Sequence, residues 1–207
     1  MGFIKRFKSN HSDLFVYLKA EEVHPHDHFL ARTVLRLLPN SVTPNQISIF
    51  RIIATPFVFY LTLNGFFHAG VFAFIFVAFT DALDGSLART KDKITRFGMM
   101  IDPMADKLLI GSMALLLVFR YLNVWLGIII LALEIIFIIA ALVSKIKFKT
   151  VRMANQWGKI KMGLQVVAMC SILFALVLDV PALFSVATGV FGISVGFALV
   201  SLYKHGI

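Results

Sequence analysis

The chain has one cysteine, Cys170, in 207 residues. That excludes an intramolecular disulfide and any zinc site built on cysteine ligands. Charge is also scarce: 15% of residues are Asp, Glu, Lys or Arg, against roughly a quarter in a soluble domain. Acids are scarcer still, 11 against 20 Lys and Arg. Apolar residues fill the difference, at 59% of the chain with a mean hydropathy of +0.86. A disordered chain is excluded, and an ordinary water-soluble enzyme is disfavoured. The formal charge of +9 would suggest a nucleic-acid partner in a soluble protein. In so apolar a chain it is the basic complement of membrane-protein loops, and no nucleic acid is expected.

Six apolar stretches can be drawn: Ile47–Leu63, Phe66–Thr80, Pro103–Phe119, Tyr121–Val143, Met162–Leu178 and Ala182–Leu202. A membrane-crossing helix needs about 20 residues, so the shorter stretches must borrow length from flanking turns. The expected fold is an all-α integral membrane protein with six transmembrane helices over 47–202. An amphipathic surface helix over 28–38 precedes them, carrying Arg32 and Arg36 at i, i+4 and ending at Pro39. Thr43 as N-cap and Pro44 at the first helical position open the first span. The second span continues past Thr80 through Asp81, Leu83 and Leu87. Residues 1–27 form a polar arm, and 28–207 form the membrane domain. No repeat or cleavable signal peptide is visible.

Six spans place both termini on one side of the membrane. Nineteen of the 20 Lys and Arg lie on that side, with Arg120 opposite. The positive-inside rule makes it the cytoplasmic side of a cell membrane. Arg51, near the start of the first span, has two readings: snorkelling to the interface or reaching toward a substrate anion. Glu134, inside the fourth span, either lines a cavity or bonds a neighbouring helix.

The acids are few enough to place singly. Asp81 and Asp84 stand at i, i+3, and Asp102 and Asp106 at i, i+4. Each pair projects from one face of its helix. A short connection lets the two helices run antiparallel, so that the pairs meet. Four such carboxylates repel one another unless they share a cation. Oxygen donors without His or Cys select a hard ion, Mg²⁺ or Mn²⁺. Two ions about 3.5–4 Å apart would suit a phosphoryl transfer. The bland alternative is solvated helix-end charge paired with nearby Arg or Lys. Another rival, the ion site of a small cation transporter or channel, calls for acids at broken helices near the bilayer midplane; these lie at helix ends. A non-catalytic scaffold with the same fold is a third reading. Gly85, Ala88 and Gly98 keep the helix surfaces low beside the acids, and Arg89 is placed to meet a diphosphate.

Written out, the stretch reads Asp81-x2-Asp84-Gly85-x2-Ala88-Arg89-x8-Gly98-x3-Asp102-x3-Asp106. It resembles the signature of the CDP-alcohol phosphatidyltransferase family at all eight fixed positions. The resemblance implies that Asp81 and Asp102 bridge two metals, Asp84 binds one of them and Asp106 the other. Asp106 would also be the general base for the acceptor hydroxyl, which attacks the β-phosphorus of a CDP-linked lipid and releases CMP. Gly85, Arg89 and Thr95 match nucleotide-holding positions, and Asn45, Gln46, Ile47 and Ser48 match a second nucleotide contact. The implied partners are CDP-diacylglycerol or another CDP-alcohol, an alcohol acceptor, membrane lipids and a second copy in a homodimer.

Gly158-Lys159-Ile160-Lys161 and Asp102-Pro103-Met104-Ala105-Asp106-Lys107 resemble the phosphatidylglycerophosphate synthase branch and its cardiolipin synthase relatives. This favours glycerol 3-phosphate as acceptor, with Arg152, Lys159 and Lys161 as candidate contacts. Leu133-Glu134 stands where that branch carries Arg-Glu. Phosphatidylglycerol, inositol phosphate and serine therefore stay open as acceptors, as does transfer of a CDP-linked head group to diacylglycerol.

Overall fold

A computed structural model describes residues 17–18, 32–33, 35–36, 39, 42–91, 93–148 and 156–204, without the side chains of 17–18, 141–148 and 204. Six long helices account for nearly all of it: α1 Pro44–Leu63, α2 Phe67–Thr90, α3 Arg96–Tyr121, α4 Val124–Phe148, α5 Gln156–Leu178 and α6 Ala182–Lys204. The expected all-α membrane architecture is what forms. α2 continues to Thr90, as the uninterrupted pattern past Asp81 required. α3 begins seven positions before the expected Pro103, because Thr95 supplies a start signal upstream and a proline is tolerated inside this helix. Most of the 28–38 surface helix lies outside the described residues, as does Arg152.

The helix ends follow from local chemistry. The Thr43 N–H donates to Gln46 Oε1 at 2.9 Å, one half of a capping box around Pro44. α1 closes with the Gly65 N–H donating to Thr62 O and the Phe66 N–H to Leu61 O, with Gly65 at φ +81°. That is a Schellman closure, in which glycine takes the left-handed position at no steric cost. Asp179 takes the same position after α5, at φ 53°, a conformation Asp adopts more readily than most side chains. Asn123 caps α4 by accepting the Trp125 N–H at 2.8 Å.

Four helices, α1, α2, α5 and α6, are long and apolar enough to cross a membrane. The described apolar run of α4, Val124–Ala140, is shorter. α3 carries five charged residues, Arg96, Asp102, Asp106, Lys107 and Arg120. Large apolar side chains face outward along these helices, Ile53, Phe57, Phe72 and Trp125 among them. Water would not sustain such a surface, and a bilayer would.

The chain packs as two units. One comprises Met1–Val58 and Phe72–Leu109, the other Phe59–Val71 and Ile110–Ile207. In the first, Leu35, Ile47, Leu83 and Leu87 form a buried cluster with Val42 against it. Here two-residue strands also pair antiparallel, β1 Tyr17–Leu18 with β2 Ile94–Thr95, Tyr17 opposite Thr95. Tyr17 and Leu18 are thus paired with the connection before α3, which composition did not suggest. In the second unit α5 packs along α6, with Trp157 against Phe197 at 5.6 Å between ring centroids. Met169, Ile172, Leu173, Ala187 and Phe191 are buried there.

Candidate active site

The site lies in the first unit, where α1, α2 and the first turns of α3 bring their polar faces together. Ser48, Arg51 and Thr55 recur at i, i+3 and i+7 and share one face of α1. All three are buried. α2 supplies Asp81 and Asp84, and α3 supplies Asp102 and Asp106.

Arg51 is the hub. Its Nη1 donates to Asp81 Oδ1 at 2.7 Å and also to Asp106 Oδ1, and its Nη2 donates to Asp84 Oδ2. The side chain is 0% exposed, so Arg51 does not snorkel to the interface. It is also no loop charge of the kind that sets topology. Its usable signal was the polar i, i+3, i+7 pattern on an otherwise apolar helix. Ser48 makes the remaining link: its hydroxyl donates to Asp102 Oδ1 at 2.5 Å and lies 3.3 Å from Asp84 Oδ2. All four sequence-selected aspartates are therefore joined through two α1 side chains. Asp84 is nearly inaccessible, while the Asp81 side chain is about half exposed.

Around this centre the chain approaches itself closely. Thr95 caps α3 by accepting the Gly98 N–H at 2.9 Å, and its hydroxyl donates to Asn45 Oδ1 at 2.9 Å. A Cβ on Gly98 would lie 2.7 Å from Asn45 Oδ1, so a larger residue there would displace the Asn45 side chain from its bond with Thr95. A Cβ on Gly85 would lie 3.3 Å from Arg89 Nη1, which places the Arg89 guanidinium over the bare surface left by Gly85.

The expected nucleotide contacts separate into distinct local roles. Asn45 and Thr95 bond each other at the start of α3. The Gln46 side chain is used in capping α1. Ile47 is buried against Leu83 and Leu87, and Ser48 faces the carboxylates. In the second unit, Lys161 and Gln165 of α5 both donate to Glu134 Oε1 of α4, the latter at 3.2 Å. The Lys161 ammonium also lies 4.6 Å from the Phe137 ring centroid. Glu134 thus bonds the neighbouring helix, and Lys161, expected as an acceptor contact, is buried in an ion pair. Lys159 is exposed.

Among the described residues, no three acidic, His or Cys side chains are already gathered in metal-holding geometry. The donor set still fits a hard divalent ion. It consists of oxygen alone, from four carboxyl groups on two helices with a single guanidinium among them.

The CDP-alcohol phosphatidyltransferase family profile matches residues 41–200. A CDP-diacylglycerol--glycerol-3-phosphate 3-phosphatidyltransferase from Pseudomonas fluorescens is 42% identical over 86 residues, 40% of this chain and 44% of that protein. The protein of the same description from Escherichia coli K12 is 40% identical over 85 residues, 40% of this chain and 46% of that one. A probable cardiolipin synthase (CMP-forming) from Drosophila melanogaster is 39% identical over 85 residues, 40% of this chain and 26% of that one. The aligned region thus spans less than half the length of each of these relatives.

Proposed function

The chain belongs to the CDP-alcohol phosphatidyltransferase family, and from that premise we propose that it transfers a phosphatidyl group from CDP-diacylglycerol to an alcohol, releasing CMP. The preferred acceptor is glycerol 3-phosphate, the substrate named in the description of the bacterial relatives. Phosphatidylglycerol as acceptor, giving cardiolipin, is the second reading, favoured by the Drosophila relative. The observation that carries the proposal is the joining of Asp81, Asp84, Asp102 and Asp106 through Arg51 and Ser48.

In this reading Asp81, Asp84, Asp102 and Asp106 hold two Mg²⁺ or Mn²⁺ ions. Bound there, the ions would neutralise developing phosphoryl charge and acidify the acceptor hydroxyl. Asp106 accepts the hydroxyl proton. The hydroxyl oxygen bonds to the β-phosphorus, the bond from that phosphorus to the bridging oxygen breaks, and CMP departs with the electron pair. Asn45, Gln46, Ile47, Ser48, Gly85, Arg89 and Thr95 border the nucleotide and its diphosphate. Arg89, beside bare Gly85, meets the diphosphate through its paired N–H donors. Positioning and charge carry most of such a transfer. Arg152 and Lys159 remain candidates for the acceptor phosphate. Lys161 contributes by holding α5 to α4.

The enzyme acts as a homodimer in a cell membrane, with both termini and the aspartates facing the cytoplasm. The one-sided distribution of Lys and Arg supports that orientation, and removing buried Arg51 and Lys161 from the count leaves the asymmetry intact. The test is CMP release by the purified full chain with CDP-diacylglycerol, Mn²⁺ and a panel of acceptors. Release with glycerol 3-phosphate above all others is expected. Release with phosphatidylglycerol alone selects the second reading, and no release with any acceptor overturns the proposal.

A further inference from the structure

Arg51 is a cation standing where the proposed reaction calls for cations. Its two terminal nitrogens take Asp81 Oδ1, Asp106 Oδ1 and Asp84 Oδ2, one oxygen from each of three carboxylates that a bound metal would share. Nothing about the side chain suggests simple packing. It is 0% exposed, and its Nε has no hydrogen-bond partner, although a buried guanidinium is costly unless its donors are satisfied. The fork is spent on the carboxylates at the expense of Nε. Without it, four carboxylates in a desolvated place would be strongly destabilised.

We infer that Arg51 is a built-in counter-cation. It holds the aspartate cluster together in the metal-free protein and yields its carboxylates to divalent ions as they bind. This rests on the metal-dependent reading above and assigns that site its own competitor. The metal and the guanidinium share ligands, so each weakens the other's hold, and the coupling is reciprocal. An uncharged residue at 51 therefore has two linked effects. The metal-free protein loses stability, and the metal gains affinity by the corresponding factor. Lysine keeps the charge but lacks the planar fork that reaches three carboxylates at once, so it falls between.

The test uses purified full-length wild type, Arg51→Met and Arg51→Lys in detergent micelles. Mn²⁺ binding is measured by calorimetric titration, and thermal unfolding is followed in EDTA and in saturating Mn²⁺. Arg51→Met is expected to bind Mn²⁺ at least tenfold more tightly than wild type. Its unfolding midpoint should fall in EDTA and recover most of the difference in Mn²⁺. Arg51→Lys, the variant to use if the methionine form does not fold, should show the same pattern at smaller amplitude. Equal or weaker Mn²⁺ binding by the variants overturns the inference, as does equal destabilisation with and without metal. If wild type binds neither Mn²⁺ nor Mg²⁺, the metal reading of the site falls first and the inference falls with it.

Discussion

The Ser48 hydroxyl on α1 lies 2.5 Å from Asp102 Oδ1 on α3, across 54 positions of sequence. The same oxygen is 3.3 Å from Asp84 Oδ2, so one small side chain touches one member of each aspartate pair. Ser48→Ala leaves Asp102 without that donor. A hydrogen bond to a charged group is worth about 1.5–3 kcal/mol, so kcat/KM for CMP release should fall roughly 10- to 100-fold with the fold retained. Unchanged kcat/KM would show that the contact contributes nothing to the reaction.

Asp106→Asn keeps the size of the side chain and removes its capacity to accept a proton as a carboxylate. General-base catalysis contributes about 10²–10⁴-fold. CMP release should drop by at least about a hundredfold, while the variant unfolds near the wild-type temperature. Release equal to wild type assigns the base elsewhere.

Gly98 and Gly111 lie on the same helix and should respond oppositely to alanine. At Gly98 the new Cβ would come within 2.7 Å of Asn45 Oδ1 and 3.2 Å of Thr95 Oγ1. Both are side-chain atoms, so Asn45 must turn away and give up the hydrogen bond from Thr95, at a cost of about 0.5–1.5 kcal/mol. At Gly111 nothing lies within 4 Å of the new Cβ, and alanine should stabilise the helix by up to about 1 kcal/mol. Thermal unfolding of the two variants in one detergent makes the comparison. A Gly98→Ala protein as stable as wild type contradicts the close approach.

Glu134 and Lys161 should each be worse to lose alone than together. Removing one partner strands the other charge at a place where Lys161 is only 6% exposed, and breaking a buried pair costs about 3–5 kcal/mol. An apolar double substitution, Glu134→Leu with Lys161→Met, should recover much of that. A double-mutant cycle on unfolding midpoints reads the coupling. Additive losses would mean the pair is not energetically linked.

Much of this was legible in the residues themselves. The six helices followed from the apolar stretches, and the start of α1 followed from Thr43-Pro44. The aspartate pairs followed from helical spacing, which fixes that i, i+3 and i, i+4 residues share a face. Arg51 was harder to place. A basic residue near a span end ordinarily reaches for the interface, and only partners on other helices could make full burial tolerable. The pairing of Lys161 is hidden for a related reason: in sequence it sits beside Lys159 in a basic run, and its partner Glu134 is 27 positions away. The strand pairing of Tyr17–Leu18 left no signal at all, because two residues are too few for a period to show.

By itself the sequence determined what depends on local periodicity and composition: the helices, their caps, the apolar exterior, and the pairing of aspartates on single helix faces. Tertiary structure alone decided which distant charges meet. It joined both aspartate pairs through Arg51 and Ser48, and it set Lys161 against Glu134. A helical period fixes the direction of a side chain from its own axis. The partner that direction finds depends on how helices far apart in the chain pack together.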